Sequence, residues 1–377
     1  MTKRLAAALA LTAALMTGAS SQTWAADTAK VVRTDHPLVV QSIAPGYMGK
    51  YAEIYVREVA LASPPAVSKG VVLFVHGAGT PAEVAFDSSY KDYSWMAYLA
   101  RAGFDVYSLD LEGYGLSTRP PAMEQPCNLP PDSQQTLMPR TLKAACAAVS
   151  TQPITTMSSD WNDISAVVEW LISQKSVKSV ALVGWSQGGP RAAGYAALHP
   201  DKISRLMVLA PAYNPTMPAG PPAALPVVEH PLTSQSQAEF KANWDRQAPC
   251  AGQYEPAAAG AVWSDLIKSD PGGAKWGPGV RRAPSVPSWG FNKDVVAKMT
   301  TPFLMVTGEN DKQVEPARVH QLYDDLGSPQ KVLIDLACSS HNAMWEKNRL
   351  MLFQASVDWL STGKVDGMDS GIIKKGY

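Results

Sequence analysis

Ser186 sits in the run Leu182-Val183-Gly184-Trp185-Ser186-Gln187-Gly188-Gly189, and its neighbours give it the setting of a nucleophile. An apolar stretch ends at a small residue; a serine, two glycines and a helix-like segment follow. The G-x-S-x-G spacing predicts a nucleophile elbow, in which a buried strand turns sharply into a helix and presents the serine at its tip. Such a turn crowds the positions two before and two after the serine, and Gly184 and Gly188 keep them free of side chains. Pro190 suits the first turn of the helix, because its missing N–H falls among donors that have no intrahelical partner.

A serine hydroxyl is a poor nucleophile until a base takes its proton. The chain has six histidines. His199 precedes Pro200 at a helix end, His320 falls within a predicted helix, His230 lies in a long insert, and His36 stands before the first expected strand. His76 follows a strand directly and suits a different role. His341, in Leu336-Ala337-Cys338-Ser339-Ser340-His341, occupies the loop leaving the last major strand. In open α/β sheets that edge is where ligands and catalytic groups gather, so His341 is the expected base.

The imidazole needs an acid to hold its tautomer. Phe303 to Thr307 reads as a strand, and Asp311 lies in the loop after it, with Glu309 as the competitor. Asp335 falls mid-strand and is expected to face outward. The order Ser186, Asp311, His341 is nucleophile, acid, base. An oxyanion needs two N–H donors. One is expected from Gln187, at a helix N-terminus. The other is assigned to Ala78 in His76-Gly77-Ala78-Gly79, with Gly79 as runner-up.

These residues require a scaffold that brings strand ends together. Tyr51 to Val59 alternates as a half-exposed strand, whereas Val71–Val75 is a continuous apolar run of the buried parallel kind, and Phe104–Leu109 reads as a second buried strand. A helix is expected from about Ser158 to Gln174, with Ile164, Val167, Val168, Leu171 and Ile172 on one face and Ser158 or Ser159 as cap. Strand and helix then alternate through Ile203–Leu209, Phe303–Thr307, Val332–Leu336 and a last helix near Leu360. This rhythm predicts an α/β fold, a mainly parallel sheet with helices on both faces.

Two stretches break the rhythm. Residues 119–157 are proline-rich and carry Cys127 and Cys146. Residues 213–298 hold no strong strand signal but contain Trp244, Trp263, Trp276 and Trp289, and are expected to form a cap over the sheet. The tail after Ser361, rich in glycine and lysine, is expected to be loose.

Residues 1–25 read as a secretory signal peptide: Lys3 and Arg4, then an apolar run from Leu5 to Met16, then small residues ending Ala25-Ala26. The run is too short for a membrane span. Residues 26–377 are expected to be a single exported domain, periplasmic or extracellular. Basic and acidic residues number 33 each; removal of Lys3 and Arg4 leaves 31 bases, and no basic run suits a nucleic acid. The four cysteines lack metal-ligand spacing, so no metal or other cofactor is expected. In an exported chain two disulfides are expected instead. Three connectivities are possible. A local Cys127–Cys146 bridge would order its insert, leaving Cys250 with Cys338 beside the His341 loop.

The chain resembles the α/β-hydrolase superfamily over roughly Tyr51 to Leu360, apart from the two inserts. The resemblance rests on His76-Gly77-Ala78-Gly79, on Asp110-Leu111-Glu112-Gly113-Tyr114-Gly115-Leu116-Ser117, on the elbow, on the Gly308 to Val314 loop and on His341. The Asp110 to Ser117 turn is similar to that of capped esterases, epoxide hydrolases and dehalogenases. The last two groups use aspartate at the elbow; Ser186 here implies acyl transfer on a small ester-like molecule. Amide, lactone or carbon–carbon hydrolysis is the alternative on the same residues. A binding protein on this fold is the alternative from another class. Glu112 is expected to stabilise its own turn, Trp185 to pack in the core or line the acyl pocket, and the four insert tryptophans to form an aromatic wall or a small core.

Overall fold

The computed structural model describes residues 29–377; the expected signal peptide lies outside the described residues. The strands are β1 (Val31–Gln41), β2 (Tyr51–Leu61), β3 (Val71–Val75), β4 (Asp105–Leu109), β5 (Val180–Trp185), β6 (Ile203–Leu209), β7 (Leu232–Ser236), β8 (Val280–Pro284), β9 (Phe303–Gly308), β10 (Lys331–Leu336) and β11 (Gly371–Lys375). Nine of them make one sheet in the order β1-β2-β4-β3-β5-β6-β9-β10-β11, and β7 pairs only with β8. The pairings β1–β2 and β2–β4 are antiparallel. From β4 to β11 every neighbour is parallel.

The helices are α1 (Ala82–Phe86), α2 (Trp95–Arg101), α3 (Pro131–Gln135), α4 (Met157–Lys175), α5 (Gly188–Leu198), α6 (Gln237–Asp245), α7 (Pro256–Ser269), α8 (Lys293–Val296), α9 (Pro316–Asp325) and α10 (Arg349–Thr362). Side chains alternate across a strand, so each central strand feeds two cores. Val72 and Phe74 of β3 join Trp95 of α2 and Phe353 and Trp359 of α10 on one face. Val71, Leu73 and Val75 join Ile164, Val167, Val168 and Leu171 of α4 and Ala192 of α5 on the other. Burying such a side chain stabilises by about 1.5–3 kcal/mol, and this double burial explains why the central strands read as unbroken apolar runs. Among the described residues no helix is long and apolar enough to cross a membrane.

Several expectations are corrected. The α4 cap is Thr156, two and three residues before the expected Ser158 and Ser159: its hydroxyl accepts from Ser159 N at 3.3 Å while Ser159 Oγ accepts from Thr156 N at 2.8 Å. His36 lies inside the sheet, on β1, with its Nε2 3.0 Å from Glu58. The tail is not loose, for β11 adds a parallel edge strand against β10. Its lysines, which read as loop composition, are what an exposed edge carries to discourage further pairing.

The 213–298 stretch contains β7, β8, α6 and α7. The strands LTSQS and VRRAP are too polar to read as strands. All four tryptophans are buried; Trp244 and Trp263 cluster around Phe240, and Trp244 meets Trp345 from the sheet domain at 5.7 Å. The core reading of these residues therefore holds over the aromatic wall. Met123, Leu129, Leu137 and Ile154 of the proline-rich insert pack on Leu232, Trp276 and Val280, so the two inserts share one small core. Cys127 and Cys146 face each other in disulfide geometry with Cα atoms 5.3 Å apart, as do Cys250 and Cys338 at 5.7 Å.

Candidate active site

β5 lies in the middle of the sheet, between β3 and β6, and ends at Trp185. Ser186 follows with φ +56°, a left-handed conformation that a non-glycine residue adopts only where its surroundings hold it there. A Cβ on Gly188 would run into the carbonyl oxygens of Val75 and His76, and one on Gly184 into the backbone of Gly188. A Cβ on Gly77 would lie 2.9 Å from Ser186 Cβ. The glycines therefore let β3, β5 and the start of α5 converge on one half-buried serine.

His341 and Asp311 come together at the ends of β10 and β9. His341 Nδ1 is 2.8 Å from Asp311 Oδ2, with both residues buried. The other Asp311 oxygen accepts from the amides of Gln313 at 2.7 Å and Val314 at 2.9 Å, so the carboxylate is fixed from its own loop. Glu309 is exposed and approaches the amide of Cys338 instead. Trp185 Nε1 donates to the carbonyl of His341 at 2.8 Å, which sets the histidine against the residue preceding Ser186. Trp185 is thus buried packing that also holds the loop. Among the described residues Ser186 Oγ makes no hydrogen bond to His341; such contacts are often loose before substrate arrives.

Glu346 was not singled out from the sequence, yet it organises the histidine loop. Its buried carboxylate accepts from the amide and hydroxyl of Ser340, from Trp244 Nε1 at 2.8 Å and from Gln253 Nε2 at 3.2 Å. Gln247 accepts from Lys312 N at 3.0 Å in the loop that carries Asp311. With the Cys250–Cys338 pair, these contacts tie both loops to the long insert.

The loop after β3 is held by an arginine that was also not singled out. Arg191 of α5 is fully buried and donates through Nε to Asp160 at 2.6 Å. Its Nη1 reaches the carbonyls of His76 and Gly77, each at 3.1 Å, and its Nη2 reaches Tyr114 Oη at 3.2 Å. His76 Nδ1 donates to the same Gly77 carbonyl at 2.7 Å while its Nε2 accepts from Leu111 N at 3.1 Å, which defines a neutral tautomer. Because a trans peptide points its C=O and N–H in opposite directions, fixing the Gly77 carbonyl inward turns the Ala78 N–H outward. Neither the Ala78 nor the Gln187 N–H has an acceptor among the described residues.

The Asp110 turn differs in detail from expectation. Asp110 itself holds it, accepting from Ala82 N at 2.7 Å and Leu116 N at 3.0 Å. Glu112 is buried beside Asp163, and burial pushes both carboxyls above the usual range. Asp335 pairs with His320 at 2.8 Å, away from the serine. Among the described residues no group of three or more His, Cys, Asp or Glu side chains is placed to hold a metal ion.

A family model described as the alpha/beta hydrolase fold matches residues 70–240. Solved structures agree over most of the chain. A serine hydrolase from the polyaromatic-hydrocarbon-degrading bacterium Cycloclasticus zankles is 13% identical with a TM-score of 0.51, covering 88% of this chain and 100% of that one. An esterase from Rhodococcus sp. ECU1013 is 14% identical with a TM-score of 0.51, covering 86% and 98%. An esterase from Exiguobacterium antarcticum is 15% identical with a TM-score of 0.50, covering 87% and 100%. No curated protein sequence matches the chain. Sheet order, family model and solved structures together establish that this is a protein of the α/β-hydrolase fold.

Two outcomes are expected. Arg191→Met removes the partner of buried Asp160 and three further hydrogen bonds, and should lower the unfolding free energy by about 3–5 kcal/mol in a denaturant titration. A loss under about 1 kcal/mol would show that the clamp is dispensable. Burial, with Arg191 nearby, pushes the His76 imidazole down from 6.5 to about 3. Between those values the unfolded chain binds a proton that the native one refuses, so this residue's contribution is intact above pH 6.5 and lost as pH falls toward 3. Buried acids such as Asp110, raised to about 6, work in the opposite direction, so the comparison must be with His76→Asn. Wild-type stability should fall more steeply on acidification than that of the variant; parallel curves would contradict a neutral buried His76.

Proposed function

We propose that the protein is an exported serine hydrolase that cleaves carboxylic esters through an acyl-enzyme. The observation that carries this reading is the buried His341–Asp311 pair at 2.8 Å, held by Trp185 against an elbow whose serine has φ +56°. Ser186 Oγ attacks the ester carbonyl as His341 Nε2 takes its proton. Asp311 keeps the Nδ1–H tautomer and stabilises the imidazolium. The amides of Ala78 and Gln187 receive the oxyanion, and their lack of acceptors among the described residues supports that role. His341 then returns the proton to the leaving alcohol oxygen. Water, activated by the same imidazole, hydrolyses the acyl-enzyme and restores the serine.

In this reading residues 213–298 form a cap that anchors both catalytic loops through Gln247, Gln253 and the Glu346 contacts. The disulfide geometry of all four cysteines supports folding in an oxidising compartment, consistent with removal of residues 1–25 on export.

Kinetics on a short-chain chromogenic ester test the assignment. Ser186→Ala should lose on the order of 10⁴-fold or more in kcat/KM, and His341→Ala nearly as much. Asp311→Asn should lose roughly 10⁴-fold through the wrong tautomer. A Ser186→Ala enzyme retaining a tenth of wild-type activity would refute the mechanism, and a near-normal Asp311→Asn would move the acid role to Glu309.

A further inference from the structure

Two buried arginines, Arg191 and Arg282, and the half-buried Arg281 are treated very differently. Arg191 has Asp160, two carbonyls and a phenol. Arg282, on β8, forms a two-point pair with Asp270 at 2.9 and 2.7 Å and also reaches Glu124 and the Met123 carbonyl. Among the described residues its neighbour Arg281 has a single hydrogen bond, from Nη1 to Thr80 Oγ1 at 2.8 Å, and a ring contact with Phe240 at 5.7 Å. Among the described residues no carboxylate pairs with it. Burial holds its guanidinium down at about 10, still charged at neutral pH.

A partly buried charge without a counter-charge carries a desolvation cost that an anionic ligand would offset. The position of Arg281 fits that use. Its Cζ lies 3.1 Å from where a Cβ on Gly79 would sit, so the guanidinium rests on the loop that carries the Ala78 amide. A few residues on, Ser288 Oγ accepts from the Gln187 side chain at 3.4 Å. β8 and the segment leaving it thus touch the Gly79 loop at Arg281 and the side chain of the residue after Ser186 at Ser288. The Arg281 side chain is only half-buried, and its unpartnered nitrogens are absent from the sealed polar atoms, so they remain open to an incoming molecule.

We propose that Arg281 is a specificity residue that binds a carboxylate carried by the substrate, so that the ester taken by Ser186 belongs to an anionic molecule. This rests on the serine-hydrolase reading above. A lone guanidinium fork with free donors matches a planar carboxylate in a two-point contact. The buried Thr80 hydroxyl, an acceptor for Nη1 of Arg281, holds the guanidinium in place for that contact. Binding energy from such a remote group orients the ester carbonyl on the oxyanion amides.

Two substrate pairs test it at low ionic strength. In 3-acetoxybenzoate and its methyl ester the charge lies in the alcohol part; in monomethyl and dimethyl glutarate it lies in the acyl part. Wild type should favour the anion in at least one pair by about tenfold or more in kcat/KM, the size of one charge-assisted contact. Arg281→Met should collapse that ratio toward one, and Arg281→Lys should restore part of it. Equal rates within both pairs, or a ratio unmoved in Arg281→Met, would overturn the proposal. Should wild type hydrolyse no ester, the serine-hydrolase reading fails, and calorimetry still decides the role of Arg281. Glutarate and 3-hydroxybenzoate titrated into Ser186→Ala should include one that binds, with affinity at least tenfold weaker once Arg281→Met is added. Absent or equal binding of both would overturn the proposal.

Discussion

The guanidinium of Arg191 is where the pieces of the site meet. It extends from α5 just after the elbow, closes on Asp160 of α4 and reaches across to the carbonyls of His76 and Gly77 at the end of β3. A charge this deep is tolerated when it is paired and hydrogen-bonded, and through four such bonds Arg191 fixes the mutual position of two helices and one loop. Its effect on the Gly77 peptide passes directly to the Ala78 amide. His76, kept neutral by burial, grips the same carbonyl and so supports the same orientation.

Around this clamp the geometry is steric. Gly188 lies so close to the ends of β3 that no side chain fits, and Gly77 presses on Ser186 from the other side. Gly308 does for the other two loops what Gly188 does for the elbow: a Cβ there would sit 2.6 Å from the carbonyls of Ser339 and Ser340. Close approach of β9 and β10 then allows Asp311 and His341 to meet. The long insert completes the arrangement, since Glu346, Gln247 and Gln253 bind the loops to it.

Much of this was legible because the constraints are local in the chain. The elbow is written in five residues, and the apolar runs mark strands buried on both faces. The sequence offered Asp311, with Glu309 nearer the strand end as competitor; in the structure Asp311 is buried against His341 and Glu309 is exposed. What was not legible depends on distant partners. Arg191 reads as one polar residue in an alanine-rich helix; nothing nearby announces Asp160, thirty-one positions earlier. Glu346 follows Trp345 in a segment with no periodicity, and its partners Trp244 and Gln253 lie in another part of the chain. The β11 tail looked like a loop because an edge strand needs no continuous apolar signal.

The central claim is that Ser186 alone is activated, by a histidine that Asp311 orients. Covalent labelling with a fluorophosphonate, followed by peptide mapping, tests it without any assumption about substrate. The account predicts a single phosphonylated residue, Ser186, with labelling slowed by orders of magnitude in Asp311→Asn and abolished in Ser186→Ala. Labelling at another residue, or at Ser186 with unchanged rate in Asp311→Asn, would contradict it.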